Sequence, residues 1–215
     1  MNLLHSKSLP TRSWSPLIVT QAVPRLSQLM TMEDYLTYDD GTDTRYELEN
    51  GALIEMPTES TINALIARFL LFELAKYFPI QRIASKDTEI EVSGSRATCR
   101  LPDLLVHSEE SYAALAGEKQ SVLRHGMPAP SLIIEVVSPG KTNRDRDYRY
   151  KHTEYAARGV AEYWIIDPDE QRITLCLWVD GQYEDTLYEG DLSLKSTIIP
   201  DFNLSTAQIL AFGQA

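Results

Sequence analysis

Residues 131–138, Ser-Leu-Ile-Ile-Glu-Val-Val-Ser, constrain the fold more than any other stretch, because they are apolar on both sides of a strand and carry one acid in the middle. Strand side chains alternate between faces, so Ile133, Glu135 and Val137 share one face while Ile134 and Val136 share the other. Apolar residues on both faces predict a strand covered on both sides, as in a helix-covered sheet. A helix follows, opened by Thr142 with Asp145 three residues on as a capping box and closed by Gly159 as the residue just past its end. Glu162 to Asp167 is a strand again. Strand, helix and strand over about 37 residues make a βαβ unit with a right-handed crossover.

The remaining chain supplies the rest of a mixed α/β domain. Thr31 and Asp34 predict a capped short helix ending near Tyr38. Asn50-Gly51 between Tyr46–Glu49 and Ala52–Glu55 predicts a tight hairpin, and Asp180-Gly181 predicts a second between residues 173–179 and 183–188. Apolar residues at Ile62, Leu65, Ile66, Phe69, Phe72 and Leu74 recur at helical spacing up to Pro79. Strands are expected at 82–85, 88–93 and 98–107, an irregular segment at 108–130, and a last helix capped by Ser205 and Gln208. Residues 1–28, rich in Ser and Pro without a period, read as an arm, and 29–215 as one domain.

Charge and composition exclude several roles. A net charge of −11 argues against a protein that coats nucleic acid, since such binding rests on many Lys and Arg contacts to phosphates. Any contact with nucleic acid has to be local. Residues 1–32 hold Lys7, Arg12 and Arg25 without an acid, and Lys141 to Lys151 holds five basic residues against Asp145 and Asp147. No apolar run approaches the roughly 20 residues needed to span a bilayer, so no membrane association is expected and the expected address is the cytoplasm. Cys99 and Cys176 lie far apart in apolar segments, which predicts buried reduced thiols.

Two acids stand where acids are costly. Glu135 interrupts the doubly covered strand, and Asp103 follows Pro102 in the apolar segment 100–107. An unpaired buried carboxylate costs several kcal/mol, so each needs a cation or a set of hydrogen-bond donors. One alternative is that each meets an Arg or caps a backbone group. The other is that the two share a metal ion. Asp147, Lys151 and Tyr155 follow at i, i+4 and i+8, along one face of the helix that leaves the Glu135 strand. His107 is expected at a strand end, bonded at the surface.

These residues resemble the PD-(D/E)xK nuclease superfamily, in which an acid after Pro and a second acid two residues before a Lys hold Mg²⁺. Pro102-Asp103 and Glu135-Val136-Val137 match everything but that Lys. More specifically, Tyr46-Glu47-Leu48 with Asn50-Gly51, Pro102-Asp103, residues 135–139, and Asp147 through Lys151 and Tyr155 to residues 159–164 are similar to a bacterial family described as putative restriction endonucleases. That similarity covers roughly residues 28 to 210, and in it the lysine has migrated to the helix after the second acid. It implies a restriction-endonuclease-like mixed sheet flanked by helices with β-hairpin additions. It also implies catalytic Asp103, Glu135 and Lys151, with Mg²⁺ or Mn²⁺ on Asp103, Glu135 and the Val136 carbonyl, supported by Glu47, Asp147 and Tyr155. The family often carries a His early in the long helix, where this chain has Asn63. The expected reaction is phosphodiester hydrolysis in DNA, with a homodimer left open; the alternatives are an RNase and a nuclease-fold module that binds DNA or protein without cutting.

Overall fold

The structure, a computed structural model, describes residues 29–214, so the arm expected at 1–28 lies outside the described residues. Helix α1, Met32–Leu36, is capped as expected: the Asp34 amide donates to Thr31 Oγ1 and the Thr31 amide to Asp34 Oδ2. Strands β1, Tyr46–Glu49, and β2, Ala52–Glu55, pair antiparallel across Asn50 and Gly51, whose positive φ values of 49° and 83° match the right-handed twist of a two-residue hairpin.

Helix α2, Thr61–Leu74, starts at Ser60, which accepts the Asn63 amide. It buries Asn63, Ile66, Ala67, Leu70 and Leu74, whereas Ile62 and Phe72 are exposed. The helix is where the spacing put it, but its buried stripe is rotated because Asn63 and Ala67 take inward positions.

Strands β3, Ile83–Ala84, and β4, Glu89–Val92, precede a break that matters for function. The single strand expected at 98–107 is two, β5 at Thr98–Arg100 and β6 at Leu104–Val106. Pro102 has no N–H to donate to a ladder, so pairing stops there. Strand β5 pairs with β1 and β4, and β6 pairs with β3 and, after the next segment, with the strand carrying Glu135. Asp103 therefore stands where the chain crosses from one sheet to the other.

The irregular segment contains helix α3, Glu109–Ala114, and β7, Val122–Leu123. Strand β8, Leu132–Val136, is buried throughout. The expected Thr142–Asp145 capping box is absent: helix α4, Lys141–Asp145, begins after Gly140 with no side-chain cap, and Asp145 pairs with Lys141 instead. Gly140 at φ 104°, ψ 151° makes the entry turn, a conformation that favours glycine. The helix then widens into a π-helical segment at Arg146–Lys151 before continuing as α5, His152–Arg158, and ends at Gly159 in the left-handed conformation.

Strand β9, Glu162–Asp167, runs parallel to β8, completing the βαβ unit. Strands β10, Arg172–Val179, and β11, Gln182–Glu189, form the second hairpin and extend the same sheet, and α6, Thr206–Ala211, carries the expected Ser205–Gln208 capping box. The result is an α/β fold with a five-stranded sheet, β2-β1-β5-β4-β7, and a six-stranded mixed sheet, β11-β10-β9-β8-β6-β3.

Leu132, Ile134 and Val136 pack with α2 and α6 on one face of the six-stranded sheet. Ile133 and Val137 pack on the other with Ile90, Leu123, Tyr155 and Tyr163, where the second sheet and α5 close over them. Glu135 shares that inter-sheet face. Among the described residues no helix is long and apolar enough to cross a membrane.

Candidate active site

Glu135 is buried between the sheets, where a carboxylate needs donors. Two come from the following helix: Lys151 Nζ donates to Glu135 Oε1 at 2.8 Å and Tyr155 Oη donates to the same oxygen at 2.9 Å. Burial raises the Glu135 pKa, Lys151 opposes that, and the charges of Asp103 and Glu47 add to it. Both hydrogen bonds fall on Oε1, so Oε2 is the oxygen left to take an ion.

The π-helical segment makes this convergence. Its wider turn carries Asp147 and Lys151 inward together, both buried, before α5 brings in Tyr155. Such widened turns are frequent at functional sites. Lys151 Nζ lies 3.8 Å from Asp147 Oδ1 and 3.4 Å from Glu47 Oε1. Burial pulls its pKa down, but Glu135, Glu47 and Asp147 outweigh this, raising it so that it stays charged. Asp147 is pushed up by burial, and its Oδ2 has no hydrogen-bond partner; its Oδ1 accepts from Arg146 Nε at 3.1 Å.

Asp103 is held by different groups. Its Oδ2 accepts the Val136 amide at 2.7 Å, and Lys86 Nζ lies 3.0 Å from Oδ1 and also pairs with Glu59. Burial raises the Asp103 pKa, Lys86 opposes this, and Glu59 adds to it. The Val136 carbonyl accepts from Asn63 Nδ2 at 3.0 Å. Asn63 also donates to the Val137 carbonyl and Ser138 Oγ, at 3.3 Å each.

Glu47 completes the group. Burial would raise its pKa, but Lys151 and Arg100 hold it down at about 2, and its Oε1 accepts the Leu101 amide. Arg100, wholly buried, spans Glu47, Glu49 and Glu154.

One cavity gathers these side chains: Glu47, Glu55, Glu59, Asp103 and Glu135 line it against Lys86, Arg146 and Lys151, leaving an excess of two negative charges. Exposure falls inward from Lys86 and Glu59, each 24% exposed, to Glu135 at 5% and Lys151 at 3%.

A family model described as "Uma2: Putative restriction endonuclease" matches residues 32–207. The chain belongs to the Uma2 family. It is thereby a member of the restriction-endonuclease-related superfamily. The Uma2 chain also resembles a solved structure, "a putative nuclease belonging to DUF820 from Anabaena variabilis ATCC 29413", with a TM-score of 0.67 at 17% identity over 86% of this chain and 99% of that one, a likeness of fold. No curated protein matches.

Several residues of this Uma2 site carried no sequence signal. Lys86 sits in a polar turn, indistinguishable by composition from a solvated loop, yet it has a left-handed φ of 55° and pairs with Asp103. Glu59 and Arg100 pair across sequence distances that local patterns do not encode, and Arg146, paired with the adjacent Asp147, lines the cavity only once the chain is folded. His107, expected to bond at the surface, is buried with Nδ1 3.2 Å from Ser111 Oγ, because α3 folds back over the strand end. Both cysteines are buried and free, as expected. A second feature was not foreseen: His152, Cys176 and Asp185 place ligand atoms within 4.8 Å of one another, a cluster capable of holding a metal ion.

Proposed function

We propose that this protein is a metal-dependent nuclease that hydrolyses phosphodiester bonds in DNA, with its active site in the acid cavity. The observation that carries this reading is Glu135, a carboxylate in the middle of a doubly covered strand, contacted by Lys151 and Tyr155 and sharing one cavity with Asp103. The donor set fits the expected cofactor. Carboxylate and carbonyl oxygens suit the hard ions Mg²⁺ and Mn²⁺.

Asp103, Glu135 and the Val136 carbonyl would hold the ion. A divalent ion held there would supply polarisation of a phosphodiester and a lowered pKa for an attacking water. Lys151, whose charged form its acidic neighbours favour, points at Glu135, so it orients that carboxylate and offsets negative charge that develops on the phosphate. Tyr155 fixes the second lone pair of Glu135 Oε1, Glu47 holds Lys151 from the opposite side, and Asp147 holds the ammonium from within the helix. Asn63 donates to the Val136 carbonyl from α2 and holds it in place. Lys86 at the rim is the counter-ion of Asp103 and stands where an incoming phosphate would pass.

The Lys86–Asp103 pair favours a second reading, a nuclease-fold module that binds DNA or protein without cutting, since it balances the acid without a metal. Plasmid DNA incubated with the protein and Mg²⁺ or Mn²⁺ separates the two. The nuclease reading expects cleavage that EDTA, Asp103→Asn and Glu135→Gln each abolish. Absence of cleavage with DNA and RNA alike, or cleavage indifferent to Asp103→Asn, overturns it.

A further inference from the structure

The second cluster lies behind the helix that carries Lys151, outside the acid cavity. Cys176 and Asp185 are directly paired across β10 and β11, which puts both side chains on one face of the hairpin. His152, the first residue of α5, reaches them from the helix, its Nε2 2.9 Å from Asp185 Oδ1 and 3.1 Å from Oδ2. Tyr183, also on β11, packs edge-on against the imidazole with ring centroids 5.2 Å apart. Cys176 packs in the apolar cluster between the sheets, yet its cross-strand neighbour is a carboxylate and an imidazole closes the triangle.

We propose that His152, Cys176 and Asp185 form a zinc site. Imidazole, thiolate and carboxylate are the three ligand types zinc takes, and a tetrahedral ion with bonds of about 2.0–2.3 Å needs its ligand atoms roughly 3.5 Å apart. Ligand atoms already within 4.8 Å of one another close to that spacing by small side-chain rotations. Cys176 is buried and Asp185 exposed, so the fourth position opens to solvent on the Asp185 side and takes a water. On binding, the Cys176 S–H bond breaks, its proton passes to solvent, and the sulfur lone pair forms the bond to zinc. Thiolate and carboxylate then neutralise the ion, leaving no net charge half-buried beside Tyr183.

The donor chemistry keeps the two sites apart. Sulfur and nitrogen select zinc over magnesium, whereas the acid cavity offers oxygen alone. The zinc site nonetheless bears on the cavity, because His152 follows Lys151 directly. Three side-chain contacts already tie the hairpin to α5 and its end: His152 Nε2 with Asp185, Trp178 Nε1 to the Ala156 carbonyl and Tyr183 Oη to the Val160 carbonyl. Zinc would replace the His152–Asp185 hydrogen bond with a stronger tie at the first residue of α5, fixing the widened turn that presents Lys151.

Titration of metal-free, reduced protein with Co²⁺ followed by absorbance tests the site without reference to DNA cleavage, so failure of the nuclease reading leaves it standing. A thiolate-to-cobalt charge-transfer band saturating at one equivalent, bleached by Zn²⁺ and unaffected by excess Mg²⁺, is the expected result. Cys176→Ser should remove the band. His152→Gln, at a partly exposed position where the fold is less at risk, should weaken Co²⁺ binding by about tenfold or more. No thiolate band in the parent protein, a band that survives Cys176→Ser, or unchanged affinity in His152→Gln would overturn the proposal.

Discussion

Replacing Lys151 by Met keeps most of the side-chain volume and removes a charge that three carboxylates share. The side chain is 3% exposed, and its ammonium lies 2.8 Å from Glu135, 3.4 Å from Glu47 and 3.8 Å from Asp147. Removing one partner of a buried ion pair costs about 3–5 kcal/mol, because the other charge is stranded. Glu47 keeps Arg100 and the Leu101 amide, so most of that cost falls on Glu135. Glu135 can escape it by taking a proton. Its pKa is already raised by burial, and Lys151 is the strongest influence opposing that rise. A folded-state pKa above the unfolded one means that protonation favours the fold. The penalty is therefore complete above the raised folded value and gone below the ordinary value of 4.5. With a urea m-value of about 2 kcal/mol/M, a loss of about 4 kcal/mol lowers the unfolding midpoint by about 2 M at pH 8. The gap between parent and variant should narrow steadily towards pH 5. A midpoint within about 0.3 M of the parent at pH 8, or a gap independent of pH, would refute the reasoning that Lys151 neutralises Glu135 in the folded protein.

Three further outcomes are expected. Glu47, held at about 2, contributes stability that is present above 4.5 and lost as pH falls through about 2; that is about 3 kcal/mol, so Glu47→Gln should unfold more easily at pH 7 and show a shallower acid transition. Lys86→Gly removes the counter-ion of Asp103 and relieves a left-handed φ of 55° by about 1 kcal/mol. Calorimetry should find Mn²⁺ bound more tightly by this variant than by the parent; weaker binding would make Lys86 a supporter of the ion rather than its competitor. Asn63→Ala leaves the Val136 and Val137 carbonyls without their buried donor and should cost about 1–3 kcal/mol in a thermal melt, whereas an unchanged melting temperature would remove Asn63 from the site.

Features encoded over a few residues could be read directly from the sequence. Asn50-Gly51 and Asp180-Gly181 fixed both hairpins, and Thr31/Asp34 and Ser205/Gln208 fixed two helix starts, because each is a local hydrogen-bond or φ requirement. Glu135 stood out because an acid in a doubly apolar strand has few physical explanations. The break at Pro102 was legible in principle, since proline interrupts a ladder, but the flanking apolar residues masked it. The π-helical segment was not legible: at ordinary helical spacing Asp147, Lys151 and Tyr155 already fall on one face, so nothing local demands the wider turn. Lys86 looks like a surface cation in sequence and becomes a site residue only when the distant Asp103 is folded against it. Cys176 read as a core thiol because its polar neighbours come from β11 and α5.

The most direct test of the active-site assignment is an anomalous difference map from a crystal soaked in Mn²⁺. The account predicts a peak between Asp103 and Glu135, within bonding distance of the Val136 carbonyl, with Lys86 moved away from Asp103. A peak confined to His152, Cys176 and Asp185, or none in the acid cavity while Lys86 stays on Asp103, would contradict it.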